Sequence, residues 1–173
     1  MTTTLSNLPE RALQLATLDA WLRPAFAAKT RLDALDAAEL REALQHGIDW
    51  PLRQRIEQLA PVRIGVPSGM ERRIEYGYDE DTDAPRAPVL AVKLQELFGL
   101  ADTPRIADGR VPLMLHLLSP AGRPLQVTQD QRGFWDRTWP EVRKEMKGRY
   151  PRHPWPEDPW TATPTQRAKP RGT

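Results

Sequence analysis

Leu15, Leu18 and Leu22 recur at helical spacing behind Pro9, a residue suited to a first helical turn, and predict one short helix. Asp36-Ala37-Ala38-Glu39 has the form of a capping box, with Leu40 and Leu44 behind it and Gly47 as a stop, so a second helix follows. Pro51 opens a third, in which Leu52, Ile56 and Leu59 share a face. Trp21 and Trp50 are read as core or rim residues of this layer. Helices this short do not stand alone in water, so residues 1–60 form a helical lead-in expected to pack on the domain that follows.

The period changes from helical to two near Pro61. Val62, Ile64 and Val66 alternate with Arg63 and Gly65, residues 67–69 (PSG) make a turn, and Ile74, Tyr76 and Tyr78 alternate with Arg73, Glu75 and Gly77. That pattern predicts a β-hairpin. Residues 79–88 (DEDTDAPRAP) read as an exposed acidic loop. A strand over 89–92 then runs into one or two helical turns at 94–99, closed by glycine. A turn at 107–110 (ADGR) precedes the apolar run 111–118, and a last strand covers 125–128. Pro112 belongs at an edge or at the first position of its strand.

Thr138-Trp139-Pro140-Glu141 has the form of another capping box, and Trp139, Val142 and Met146 fall on one face of the helix it would open. The prolines at 151, 154, 156 and 159 forbid its continuation, so 150–159 is an extended strap or a free segment. Residues 161–173 read as a flexible tail. The resulting fold class is α+β: residues 61–160 form a small domain with a mixed or antiparallel sheet, after a short helical layer and before a C-terminal helix with a proline-rich strap. The order β-β-β, short helix, β-β is also that of a five-stranded oligonucleotide-binding barrel.

Composition narrows the chemistry. The chain has 173 residues, 18 prolines, three histidines and no cysteine, which excludes disulfides, thiolate metal sites and cysteine nucleophiles. No apolar run approaches a membrane span, and the N-terminus lacks a basic start followed by a hydrophobic stretch, so a cytoplasmic location is expected. Charge is uneven: residues 1–130 carry 15 Lys/Arg against 18 Asp/Glu, whereas residues 131–173 carry 10 against 5. The basic end is where an anionic partner would be met.

No nucleotide-binding glycine loop, zinc-protease helix or nucleophile elbow occurs. His46 stands at a helix end, His116 in an apolar strand and His153 in the strap, none with a second ligand at metal-binding spacing. The acidic residues of 79–83 crowd a solvated loop, so no catalytic residue and no metal or cofactor site is expected. What remains is cationic and aromatic. Arg143, Lys144, Lys147, Arg149 and Arg152 can neutralise phosphates, with Tyr150 and Trp155 interleaved as stacking surfaces, while Arg72 and Arg73 offer a second patch. Trp135, Trp139 and Trp155 can equally be packing residues of a small sheet domain.

Three long stretches carry a resemblance: VRIGVPSGMERRIEY, PVLAVKLQELFGLADTPRIADGRVPLMLHLLSPAGRPLQVTQD and FWDRTWPEVRKEMKGRYPRHPWPEDP. They resemble the C-terminal part of the HrpB family of bacterial ATP-dependent helicases, which are related to the DEAH-box RNA helicases. The similarity covers about residues 60–160, and the Trp50–Pro51 step resembles the region before it. It implies a C-terminal accessory module without the RecA-like helicase core. ATP and magnesium would then belong to that core alone, and the core in cis and single-stranded RNA would be the partners. The resemblance carries no catalytic residue onto this chain, and it leaves two roles open for the strap: flanking an RNA path, or clamping the module onto the core.

Overall fold

The computed structural model describes residues 22–23, 36–82 and 84–167, in two compact units that divide between Ile56 and Glu57. The first predicted helix and Trp21 lie outside the described residues, apart from Leu22 and Arg23, which are helical.

Helix α1 (Ala37–His46) starts at the predicted capping box. The Asp36 carboxylate accepts from the Ala38 and Glu39 amides, and the Asp36 amide donates to Glu39. These bonds satisfy donors that a helix start leaves unpaired. Helix α2 (Trp50–Leu59) starts one residue before Pro51, with Asp49 accepting from the Leu52 amide. Neither helix buries a residue. Trp50, read as core or rim, is 66% exposed, and Leu52 and Ile56 also face solvent.

The second unit is built on an open five-stranded mixed sheet of order β1-β2-β3-β6-β7. Its strands are β1 (Arg63–Gly65), β2 (Glu71–Glu75), β3 (Val89–Lys93), β6 (Met114–Leu118) and β7 (Pro124–Thr128). The predicted hairpin forms β1 and β2, with Ile64 opposite Arg72. Strands β3 and β6 run parallel, Leu90 beside Leu115 and Val92 beside Leu117. A parallel pair needs a crossover, and residues 94–113 supply it. The crossover contains the 3₁₀ turn Leu94–Glu96 and a small ladder of β4 (Arg105–Ile106) with β5 (Val111–Pro112). Pro112 therefore sits in a two-stranded ribbon outside the main sheet, where its missing amide breaks no central ladder. Because β1 and β7 remain edges, the sheet does not close into the barrel that the element order also allowed.

Alternation along β3 and β6 buries Leu90, Val92, Leu115 and Leu117, and the crossover adds Leu94, Leu97, Phe98 and Leu113 to the same core. Against it lies one continuous helical run. It consists of a turn at Gln131–Gly133, a π-helical segment Phe134–Thr138 and helix α3 (Trp139–Arg149). The capping box expected at Thr138 does not form, because the chain is already helical there; Thr138 makes no side-chain cap. The cap lies earlier, where the Asp130 carboxylate accepts from the Gly133 amide at 2.8 Å. The wide turn also has a sequence reason. Pro140 lacks an amide and its ring would crowd the carbonyl four residues back, while the Trp139 amide reaches five residues back to Phe134.

Candidate nucleic-acid interface

Trp135 and Trp139 stand one turn apart and both are buried, at 3% and 1% exposure. Their rings meet edge-on at 5.5 Å, Phe98 meets Trp139 at 5.5 Å, and Trp155 approaches Trp139 at 6.1 Å. Each indole N–H has an acceptor: Trp135 donates to the Leu100 carbonyl, Trp139 to Pro156 and Trp155 to Tyr150. The packing role therefore holds for all three tryptophans. Trp155, the ring offered for base stacking, is spent in folding the strap onto α3.

The cations divide into those used internally and those left outward. Arg143 is half-buried; its Nε donates to the Trp155 carbonyl and its terminal nitrogen to Glu157, both at 3.0 Å. Arg72 donates to Glu96 at 2.8 and 2.9 Å, and Glu96 is fully buried with its second oxygen unpartnered. Arg149 pairs with Glu145 at 3.2 Å. Lys144, Lys147 and Arg152 are exposed and make no ion pair among the described residues. Arg73 is exposed on β2, directly opposite Arg63 on β1. The second patch is thus Arg63 with Arg73, and Arg72 faces inward. Hairpin register alone brings Arg63 there, a pairing that an exact alignment of the two strands in the sequence could have found.

Beyond α3 the chain turns through Tyr150–His153 and leaves an open cleft of about 290 Å³, lined by Arg149, Tyr150, Pro151, Arg152 and His153. The Gln95 side-chain amide lies 3.1 Å from His153 Nδ1. Burial holds the His153 pKa below its usual value, and the positive charges of Lys93 and Arg152 push the same way. Gln95 and Lys93 come from the far side of the sequence, and no local spacing announces their meeting with the strap.

The sequence comparisons decide the family. Residues 21–159 match HrpB_C, described as ATP-dependent helicase C-terminal. The chain belongs to this family. Over 155 residues it is 47% identical to the ATP-dependent RNA helicase HrpB of Escherichia coli (strain K12), covering 90% of this chain and 18% of that protein. A crystal structure of the E. coli DExH-box NTPase HrpB superposes with a TM-score of 0.78 at 45% identity, covering 93% of this chain and 19% of that one. A second, of the E. coli DEAH/RHA helicase HrpB, gives 0.63 at 42% identity over 85% and 18%. The chain thus spans about a fifth of the length of the relatives it matches.

In this HrpB_C domain the strap continues beyond residue 160. The Gly99 amide donates to the Pro159 carbonyl, the Thr165 amide to Gln95, and Arg132 stacks over the Trp160 ring at 5.6 Å. Within 161–167, the Thr165 amide bond to Gln95 and the packing of Ala162 against the core are contacts that sequence composition did not disclose. Among the described residues no three His, Asp or Glu gather as a metal site, and no helix is long and apolar enough to cross a membrane.

Proposed function

We propose that this HrpB_C chain is a non-catalytic accessory module of an ATP-dependent helicase, contacting single-stranded RNA through the basic surface at the end of α3. The carrying observation is the division among the cations. Arg143 and Arg72 serve the fold, whereas Lys144, Lys147 and Arg152 stay outward and unpaired among the described residues. Exposed cations of this kind contact phosphates without reading sequence. Lys147 and Arg149 also favour the negative end of the α3 dipole, but Lys144 and Arg152 lie outside that explanation. The helicase core, with its ATP and magnesium, would act in cis and in the cytoplasm.

The test is fluorescence anisotropy of a labelled single-stranded RNA at several salt concentrations. Engaging about three phosphates gives a slope near −2 in log affinity against log salt. Lys144→Ala with Lys147→Ala should flatten that slope while leaving the unfolding midpoint unchanged. Arg143 does not belong in this variant, because its loss would loosen the strap. Salt-independent binding, or a double variant with undiminished affinity, would overturn the reading.

Docking on the helicase core or another protein is the second reading, and a different surface favours it. Trp135 and Trp155 are buried and Tyr150 is half-buried, although an open cleft beside Trp155 is lined by Phe98, Pro154, Pro156 and Ala162. Leu52 and Ile56, one turn apart on α2, are instead 52% and 43% exposed. Leu52→Asp would abolish association with the core and spare RNA binding if docking is the role.

A further inference from the structure

The turn after α3 brings together polar groups from two distant parts of the chain. Gln95 is a buried amide, 1% exposed, and its side chain is directed to His153 across 58 residues of sequence. That bond engages His153 Nδ1, with the donor set by the tautomer of the ring, and leaves Nε2 as the other ring nitrogen. His153 Nε2 makes no hydrogen bond to another side chain or to the backbone among the described residues. A buried polar side chain that fixes the orientation of a half-buried histidine is the kind of support that functional side chains receive.

The charges around the ring are also uncompensated. Arg152 lines the cleft and Lys93 acts on the imidazole from the end of β3. Neither makes an ion pair among the described residues, no carboxylate lines the cleft, and Arg149 alone is neutralised, by Glu145. Like charges gathered without a counter-charge cost stability unless an anion joins them. The half-buried Tyr150 supplies a flat ring in the same wall, its plane nearly perpendicular to that of His153. The volume, about 290 Å³, is at the small end of ligand clefts, which run from about 300 to 1,000 Å³. It suits a single unit of a polymer and not a helix or a duplex.

We propose that this cleft is a nucleotide subsite, in which one phosphate of a single-stranded RNA meets Arg152 and the Nε2 side of the His153 ring while its base lies against Tyr150. The assignment rests on the RNA-contacting reading above and narrows it to a place. Lys144 and Lys147 then supply diffuse attraction along the helix, and the cleft supplies the one shaped contact.

The experiment uses the whole chain with ¹⁵N-labelled histidine. Imidazole resonances are followed while a short oligouridine is added and, separately, inorganic phosphate. The RNA should shift the His153 signals and leave those of His46 and His116 in place. Arg152→Ala should weaken RNA binding about ten- to a hundredfold, the loss of one charge-assisted contact. Lys144→Ala with Lys147→Ala should weaken binding too, yet leave the His153 shift intact at saturation. RNA binding with His153 silent and Arg152→Ala without effect would overturn the subsite and leave the accessory RNA reading standing. Equal response to inorganic phosphate and to RNA, mole for mole, would overturn the nucleotide assignment in favour of a bare anion site. Failure of the RNA to bind at low salt would overturn both.

Discussion

Arg72 and Glu96 illustrate how little a residue type says before its partner is known. Arg72 stands in a run of charged residues that reads as solvent-facing, yet its position opposite Ile64 turns it inward, toward a carboxylate 24 residues away. Glu96 is fully buried and also accepts from the Ser68 hydroxyl. Taking Arg72 away would leave a buried carboxylate without its cation, which costs about 3–5 kcal/mol. Arg72→Ala is therefore expected to lower the urea midpoint sharply, whereas Arg73→Ala, on the exposed face, should leave it within about 0.5 kcal/mol of the parent stability. Equal midpoints for the two variants would show that the pair contributes nothing. Gly133 has a comparable logic: a Cβ there would meet the ends of the Asp130 and Arg137 side chains, and because both are exposed and flexible it would displace that ion pair rather than the fold.

At the scale of elements, α3 and the strap form one unit with two sides. Its inner side is aromatic, through Trp139, Met146 and Trp155, and is latched by Arg143 to the Trp155 carbonyl and Glu157. Its outer side carries Lys144 and Lys147. Trp155→Ala should remove about 3–5 kcal/mol, as large buried aromatics do. It should also free the segment after Tyr150 for limited proteolysis while far-UV helicity persists. A variant as protease-resistant as the parent would mean that the prolines alone hold the strap. Much of this element is legible in the sequence: spacing places Trp139, Val142 and Met146 on one face, and the prolines end the helix. The displaced helix start at Gln131 was not, because the effect of Pro140 on the preceding turn competes with a well-formed capping signal at Thr138. The hairpin, the glycine-closed turn and the last strand followed their period-two and turn signals. The parallel pairing of β3 with β6 depends on a crossover, which no local pattern encodes.

At the largest scale, Lys93, Gln95 and His153 join the sheet of the second unit to its basic end, and if RNA occupies the proposed subsite, stability and binding should respond to pH in opposite directions. Burial first, then Lys93 and Arg152, hold the His153 pKa below 6.5. Arg149 lies in the same cleft, Tyr150 meets the ring edge-on and the Gln95 side chain contacts it. The unfolded chain binds this proton more readily than the folded one. The stabilising contribution is thus fully present above about pH 6.5 and is lost as pH falls through the folded pKa. Asp130, held below 3.8 by its bond from the Gly133 amide and then by Arg137, acts only further down. Asp158, held low by the Thr161 hydroxyl and the Trp160 amide, does the same. Between about pH 7.5 and 5.5, then, His153 should dominate the loss of stability that these shifted groups cause, and His153→Gln should reduce the slope of unfolding free energy against pH. An RNA phosphate in the cleft reverses the sense, since a charged imidazole attracts it. RNA affinity should rise over the same interval in which the free protein weakens, and His153→Gln should remove both trends together. Their separation in that variant, with one trend kept and the other lost, would show that the histidine sensed by the fold is not the one that meets the RNA.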